Sequence, residues 1–460
     1  MSNNSTLSNR HETLFLWEVR KSNPNGDPSG NEPRIDRHTK RCDVTDVCIK
    51  RSVRDYISVR EGLDSLLVTK LGTDLSETVR VTDRIIVYLF GTPKKTEESK
   101  KLVETTIADR LDKDKEPYKS FLEKTPSSAT LKALISNKRE DKEKLKKIVK
   151  ENTPVDSIQR DLIKTLRSFL CGTFKDLRMF GSVLALEDDL KALGGDLTGP
   201  IQIEVGTSLH RVVHSNKQIT SVMGSKEEHE AGIIGDTHCI EYGLFATSAI
   251  ANENAARFTG LADIDHELFL KALWRGTRDR HTRSKNQVPR LLIDIEYNKP
   301  FHFGDLVNSV KLNPVERSGK LLDEEAYRSI DDFTMDLTKF YEKINSKNEA
   351  IKSIKFASNG LITLDELKNK LNNDLKDKVC EISGIDFDST IEIEVNDFSE
   401  DAKMVIEGVK GITYCEPNKI ITITTGLTED MFKKIIEKQA LQPYKDALQK
   451  AYNSLKEKLK

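Results

Sequence analysis

The side chains that could do chemistry here are mostly cations, spaced for a phosphate backbone rather than for a reacting centre. Lys50 and Arg54 stand four apart, with Arg51 between them, so a helix would carry them on one side. Lysine brings a compact charge and arginine a planar fork that grips two phosphate oxygens. Arg34 and Arg37 precede this group. A second run, Trp274–Arg290, holds Arg275, Arg278, Arg280, Arg283, Lys285 and Arg290 against the single Asp279. Thr277, Thr282, Ser284, Asn286 and Gln287 interleave with the charges, and hydroxyls, amides and guanidiniums together suit sugar–phosphate contacts. The same run also suits a loop that pairs with acids elsewhere in the chain. A third group is Arg178-Met-Phe-Gly-Ser182. Gly181 would let backbone approach closely, and Phe180 would stack on a base or sit in the core.

Other chemistries find less support. His210, His214, His229 and His238 gather near Cys239, but their spacing matches no zinc pattern. They read as stacking or solvent-facing residues, and no metal is expected. Asp27, Asp36, Asp43 and Asp46 could orient a ribose hydroxyl or hold a metal for strand cleavage. Asp27, however, sits in an Asn-Gly-Asp-Pro turn, where aspartate caps local backbone. No GxxxxGK[ST] loop, HExxH helix or GxSxG elbow is present, and no cofactor is expected. The six cysteines form no CxxC pair, so free thiols are expected.

The elements that must position these residues follow from periodicity. Thr13–Arg20 reads as a strand, and Asn23–Pro33 as a turn-rich loop. A helix begins after Thr45, with Ile49, Val53 and Ile57 inward. The stretch 93–154 is rich in both charge signs and reads as an inserted helical hairpin with a solvated face. Pro200–Arg211 alternates as a strand, Val212–Thr237 reads as a long protruding hairpin, and Cys239–Ile250 is an apolar run. Asp263–Leu273 is expected as a helix with Ile264, Leu268 and Ala272 inward. Pro289–Tyr297 and Lys352–Ala357 are strands. This order predicts an α+β fold, one antiparallel sheet with helices on one face, for which the ferredoxin-like arrangement is the candidate. From Asn359 to Lys460 the pattern predicts an appended α+β module: a charged helix Leu361–Lys378, strands Thr390–Val395 and Ile420–Thr425, and helices Glu429–Lys438 and Pro443–Lys460.

Composition sets the class. The 460 residues carry 73 basic and 74 acidic side chains, a formal net charge of −1, which excludes a uniformly basic coat but not a local basic stripe. At 37% hydrophobic and 32% charged, the chain is globular with solvated helices. No apolar run approaches the ~20 residues that span a bilayer, and the first residues lack a signal-peptide core, so a cytoplasmic protein without membrane partners is expected.

The segment NPNGDPSGNEPRIDRHTKRCDVTDVCIKRSVRDY (Asn23–Tyr56) resembles the N-terminal signature of the backbone subunit of type I CRISPR Cascade complexes, most closely the DevR-like, subtype I-B branch of that RAMP-type superfamily. RMFGSVLA (Arg178–Ala185), TGPIQIEVGTSLHRV (Thr198–Val212) and ALWRGTRDRHTRSKNQVPRLL (Ala272–Leu292) match in the family's order. The resemblance spans about Leu14 to Ala357. It implies an RRM-like, ferredoxin-type palm with a β-hairpin thumb at about 212–237, built from 1–92 and 155–358. It also implies a non-catalytic protein whose copies stack along a guide crRNA with other Cascade subunits. The thumbs kink the guide and leave bases open to pair with a target DNA strand, a division of labour in which base pairing reads the sequence. By position it assigns guide contacts to Arg34, Lys50, Arg51, Arg54, Arg178, Phe180, Gly181, His210, His214, Arg275, Arg278, Arg283, Lys285 and Arg290, with Met223 as an apolar wedge. The alternative is a type III-like ribonuclease that cuts guide-paired RNA with a loop aspartate, Asp27 or Asp36. The insertion 93–154 and the extension 359–460 depart from the family pattern.

Overall fold

The computed structural model describes residues 6–69, 81–90, 98, 101, 105–106, 139–148, 150–151, 154–184, 195–220, 234–282, 284–382, 385, 390–395, 398–406, 409, 412–415, 420–424 and 429–458. Most of the expected helical hairpin at 93–154 lies outside these residues, as do the centre of the 212–237 hairpin with Met223 and His229, and Arg283. The described residues form two units, 1–380 and 381–460.

The first unit is built on a 10-stranded sheet. Its strands, in chain order, are β1 (His11–Ser22), β2 (Arg34–Ile35), β3 (Cys42–Val44), β4 (Ile201–Ile203), β5 (Gly206–Ser208), β6 (His214–Thr220), β7 (Ile234–Ala251), β8 (Gln287–Tyr297), β9 (Ile351–Ser358) and β10 (Val379–Glu381). They lie in the order β10-β9-β8-β1-β7-β5-β3-β2, with β4 and β6 also pairing on β7. β1 is antiparallel to both β7 and β8. The helices that bear on the candidate site are α1 (Asp46–Glu61), α2 (Val155–Thr173), α3 (Lys175–Phe180), α4 (Glu253–Thr259) and α5 (Asp263–Asp279).

Thr45 caps α1, its side chain accepting from Cys48 N, and Ile49, Val53 and Ile57 are buried as the spacing predicts. Its neighbour α5 crosses closely because Gly276 has no side chain: a Cβ there would stand 2.2 Å from the Ser52 carbonyl oxygen. The inward face of α5 includes Ala272 as expected, but not Ile264. Ile264 is half exposed, while His266, Phe269, Leu270 and Leu273 are buried. The reason is the start of the helix: Asp265 folds back to accept from the Ala262 N–H, which fixes the rotation one residue away from the hydrophobic count.

Strand β1 is buried on both faces from His11 to Val19. Phe15 and Trp17 stack on one face with Phe245. Leu14 and Leu16 lie on the other, in a core with Ile293, Ile295, Phe333, Phe340 and Ile354. The sheet is therefore covered on both sides, not on one. Pro200–Arg211 is two short strands, β4 and β5, rather than one. Gly206 begins the second, against the Trp17 ring, where a Cβ would lie 2.3 Å from the indole.

The expected boundary at 359 also moves. Leu367, Leu371, Leu375 and Val379 belong to the core of the first unit, and the chain divides at 380/381. Leu361–Lys378 is two short helices, Leu364–Lys370 and Asn373–Lys376. The break falls where Leu371 is extended and the Asn372 N–H is taken by Asn345 at 2.7 Å.

The second unit has a three-stranded antiparallel sheet in the order β11 (Thr390–Glu394), β13 (Ile420–Thr424), β12 (Ile412–Cys415). Helices α6 (Glu400–Ile406), α7 (Glu429–Ile436) and α8 (Lys445–Lys458) share its own core, which includes Ile421, Ile423, Phe432, Leu448 and Tyr452. Among the described residues, no helix is long and apolar enough to cross a membrane.

Candidate nucleic-acid interface

The loop after β1 is anchored at several points. Asn23 Nδ2 donates to the Asn31 carbonyl at 2.6 Å. Lys285 Nζ donates to the carbonyls of Asn23 and Pro24 at 2.6 and 2.7 Å. Asn25 Oδ1 accepts from both the N–H and the hydroxyl of Thr45 at 2.9 Å, tying the loop to the start of α1. The turn between β2 and β3 is held by Asp36, whose carboxylate accepts the Thr39 N–H at 2.6 Å and the His38 N–H at 3.0 Å. These donors, Thr39 foremost, hold the Asp36 carboxyl below its ordinary range. Asp27 accepts the Ser29 N–H at 2.9 Å and faces Arg34 at 3.3 Å. Both candidate nuclease aspartates thus serve their own turns.

Most of the expected contact residues face inward. Arg54 Nε donates to Asp176 at 2.9 Å, and that buried carboxylate also accepts the N–H groups of Leu67, Val68 and Leu177. Arg178 grips Asp265 through two nitrogens, at 2.7 and 2.9 Å, and donates to the carbonyls of Cys171 and Gly172. Arg290 is buried against Glu18 at 2.9 Å and bonds the Asn359 carbonyl. Arg275 is buried and donates to the Tyr56 hydroxyl. Arg280 bonds Ser52 and the Cys48 carbonyl. Phe180 is a core ring packed edge-on to Phe269, with the Arg54 guanidinium 5.4 Å from its centroid. Gly181 ends α3 at φ +65, where a Cβ would overlap the Leu197 carbonyl. His210 is buried: Nδ1 donates to the Arg211 carbonyl, Nε2 accepts the Leu244 N–H, and burial pushes the imidazole down to about 4. Phe180, His210, Arg275 and Arg290 are buried and Arg54, Arg178 and Lys285 half-buried, each engaged by partners within the fold. A buried charge needs a partner, and here the partner is the fold itself.

What remains outside is concentrated at one edge. Arg37 and Lys40 are exposed at the β2–β3 turn beside Arg34 and Arg41. Arg41 donates to the Ser208 carbonyl at 2.7 Å, and the Lys40 carbonyl accepts from Val212 N. This basic turn therefore abuts the foot of the β6–β7 hairpin. There His214 and His238 lie ring over ring at 5.3 Å, with Nδ1 and Nε2 3.3 Å apart. On α1, Lys50 pairs with Asp46 at 2.9 Å, and Arg51, partly exposed, pairs with Asp55. Arg278 is partly exposed beside Asp279. Arg37 and Lys40 were legible as charges in the sequence; only the turn geometry makes them the outward pair.

One cluster escaped the sequence reading. His11, His266 and Asp294 meet in the interior, from positions too far apart in the chain for any spacing rule to join them.

A wide sheet covered on both faces, with a basic turn and a two-stranded hairpin at one edge, defines an α+β protein. A family model described as CRISPR-associated protein Cas7 matches residues 9–338, and the chain belongs to that family. A CRISPR-associated protein Cas7 of Haloferax volcanii is 25% identical over 372 residues, 78% of this chain and 90% of that one. Among solved structures, a chain of a CRISPR RNA-guided surveillance complex, pre-nicking, is 17% identical at TM-score 0.42, covering 77% of this chain and 94% of its own. A chain of another CRISPR RNA-guided surveillance complex is 12% identical at TM-score 0.36, covering 77% and 90%.

Proposed function

We propose that this chain is a multi-copy backbone subunit of a type I, I-B-like Cascade. It binds guide crRNA along its basic margin, kinks it, and presents it for pairing with a target DNA strand. The observation that carries the reading is the family match over residues 9–338, which takes in the loop, α1, strands β1–β8 of the sheet and so the hairpin strands. The strand order β8-β1-β7-β5, with α1 and α5 following β1 and β7 in the chain, supports a ferredoxin-like, RRM-like palm. In this reading the β6–β7 hairpin is the thumb and 93–154 an inserted helical segment. The extension begins after residue 380. The protein works in the cytoplasm, holds backbone and shape while the guide reads sequence, and is not an enzyme. Asp27 and Asp36 hold their own turns, which does not favour a ribonuclease.

The test is expression with and without a CRISPR array, then size exclusion with ultraviolet absorbance before and after ribonuclease, repeated with partner subunits. Large particles that carry array-derived RNA are the expected result. A nucleic-acid-free monomer even with partners overturns the proposal. Metal-dependent cutting of guide-paired RNA that Asp36→Ala abolishes would establish the enzyme instead.

A further inference from the structure

We infer that His11, His266 and Asp294 form a structural site for a divalent ion of the zinc type, buried between β1, β8 and α5. The three side chains come from three elements, and their donor atoms all lie within 4.8 Å of one another. His11 Nδ1 is 2.9 Å from Asp294 Oδ2, and His266 Nε2 is 3.1 and 3.2 Å from the two carboxylate oxygens. Two donors held on one ion at about 2.1 Å stand about 3.0–3.4 Å apart, so these separations are close to the edges of a coordination shell. The near-equal distances from His266 to both oxygens suit a carboxylate that binds through both, giving four donor atoms from three residues.

The surroundings support the same reading. All three residues are buried, Asp294 completely. Taking a carboxylate out of water is costly unless a cation or hydrogen bonds offset it. Thr13 Oγ1 donates to Asp294 Oδ1 at 2.7 Å, the kind of outer contact that orients a ligating carboxylate. Imidazole with carboxylate selects zinc or cobalt over calcium and magnesium. Because the site is closed, the ion enters during folding and ties the central strands to the helix above them.

The experiment uses the full chain, unfolded in chelator and refolded with zinc or with cobalt. Metal content by mass spectrometry is expected at about one ion per chain, falling to about a tenth or less in Asp294→Asn and in His266→Gln. Cobalt should give a visible ligand-field band that both variants lose. Should Asp294→Asn fail to fold, His266→Gln and the cobalt spectrum of the natural chain decide. A folded natural chain that retains no zinc and shows no cobalt band, or variants that keep the full equivalent, would overturn the site and leave a hydrogen-bonded cluster only.

Discussion

At the scale of single residues, this chain sorts its cations into two populations that the sequence cannot separate. Arg54 and Arg37 both read as phosphate ligands. Burial divides them: Arg54 meets a fully buried carboxylate, whereas Arg37 is exposed. Removing one partner of a buried pair leaves a charge without compensation, at a cost of about 3–5 kcal/mol. Arg54→Ala is therefore expected to lower unfolding free energy by about 3 kcal/mol in denaturant melts. The double variant Arg37→Ala with Lys40→Ala should leave stability within about 0.5 kcal/mol. It should also make the slope of log K against log salt for single-stranded RNA shallower by about 1.4. An unchanged slope would remove the basic turn from the RNA path. His210 adds a pH signature. Its folded imidazole is pushed down to about 4 from the ordinary 6.5, so the unfolded chain takes the proton first and acid favours unfolding. Above pH 6.5 both states are neutral and no stability is lost. Between pH 7 and pH 5 this one group removes about 2 kcal/mol, and denaturant midpoints should show His210→Gln spared that share of the fall.

At the scale of elements, the sequence was legible where one periodicity ran without interruption and opaque where a polar contact reset it. Strand β1 followed directly from its run of apolar, β-favouring residues, and the buried stripe of α1 from the i, i+4 spacing of Ile49, Val53 and Ile57. The rotation of α5 did not, because the Asp265 contact at its start outweighs the apolar count. Nor did the break at Leu371, which depends on a partner, Asn345, distant in sequence. The candidate site was legible as a composition of cations and as a family signature, but which cations face out was set by acids such as Asp176, Asp265 and Glu18, none of which the sequence marked as partners. The contact between α1 and α5 sharpens the point. Gly276 looks incidental in an arginine-rich run, yet its missing Cβ is what lets α5 lie against the Ser52 carbonyl. Gly276→Ala must push the two helices apart, and overpacking of this kind costs about 1–3 kcal/mol. Thermal melts should show a loss of that size, and Gly62→Ala, at a position with open space around it but φ 84 and ψ 156, should lose about 1–3 kcal/mol through backbone strain alone.

At the scale of the whole molecule, the two units divide the chain at a place the composition shift misses. The shift to charged residues begins near Asn359, but a composition change marks exposed surface, not the end of a core. Leu367, Leu371, Leu375 and Val379 come after it and are all buried in the core of the first unit. Residues 381–460 have their own apolar centre around Ile421, Ile423 and Phe432. Two truncations separate these boundaries. A chain ending at Cys380 keeps its four aliphatic anchors and should melt cooperatively, near the transition of the first unit in the full chain. A chain ending at Ser358 strips those anchors from the sheet, and each large aliphatic lost from a core costs about 2–5 kcal/mol. Four such losses exceed the ~5–15 kcal/mol that holds a typical domain together, so this shorter chain should be molten or insoluble. Circular-dichroism melts with limited proteolysis tell them apart, and a folded, protease-resistant chain ending at Ser358 would return the boundary to the composition shift. The longer truncation also isolates function: RNA binding that survives loss of 381–460 would place the guide-holding surface wholly in the unit that carries the sheet and the basic turn.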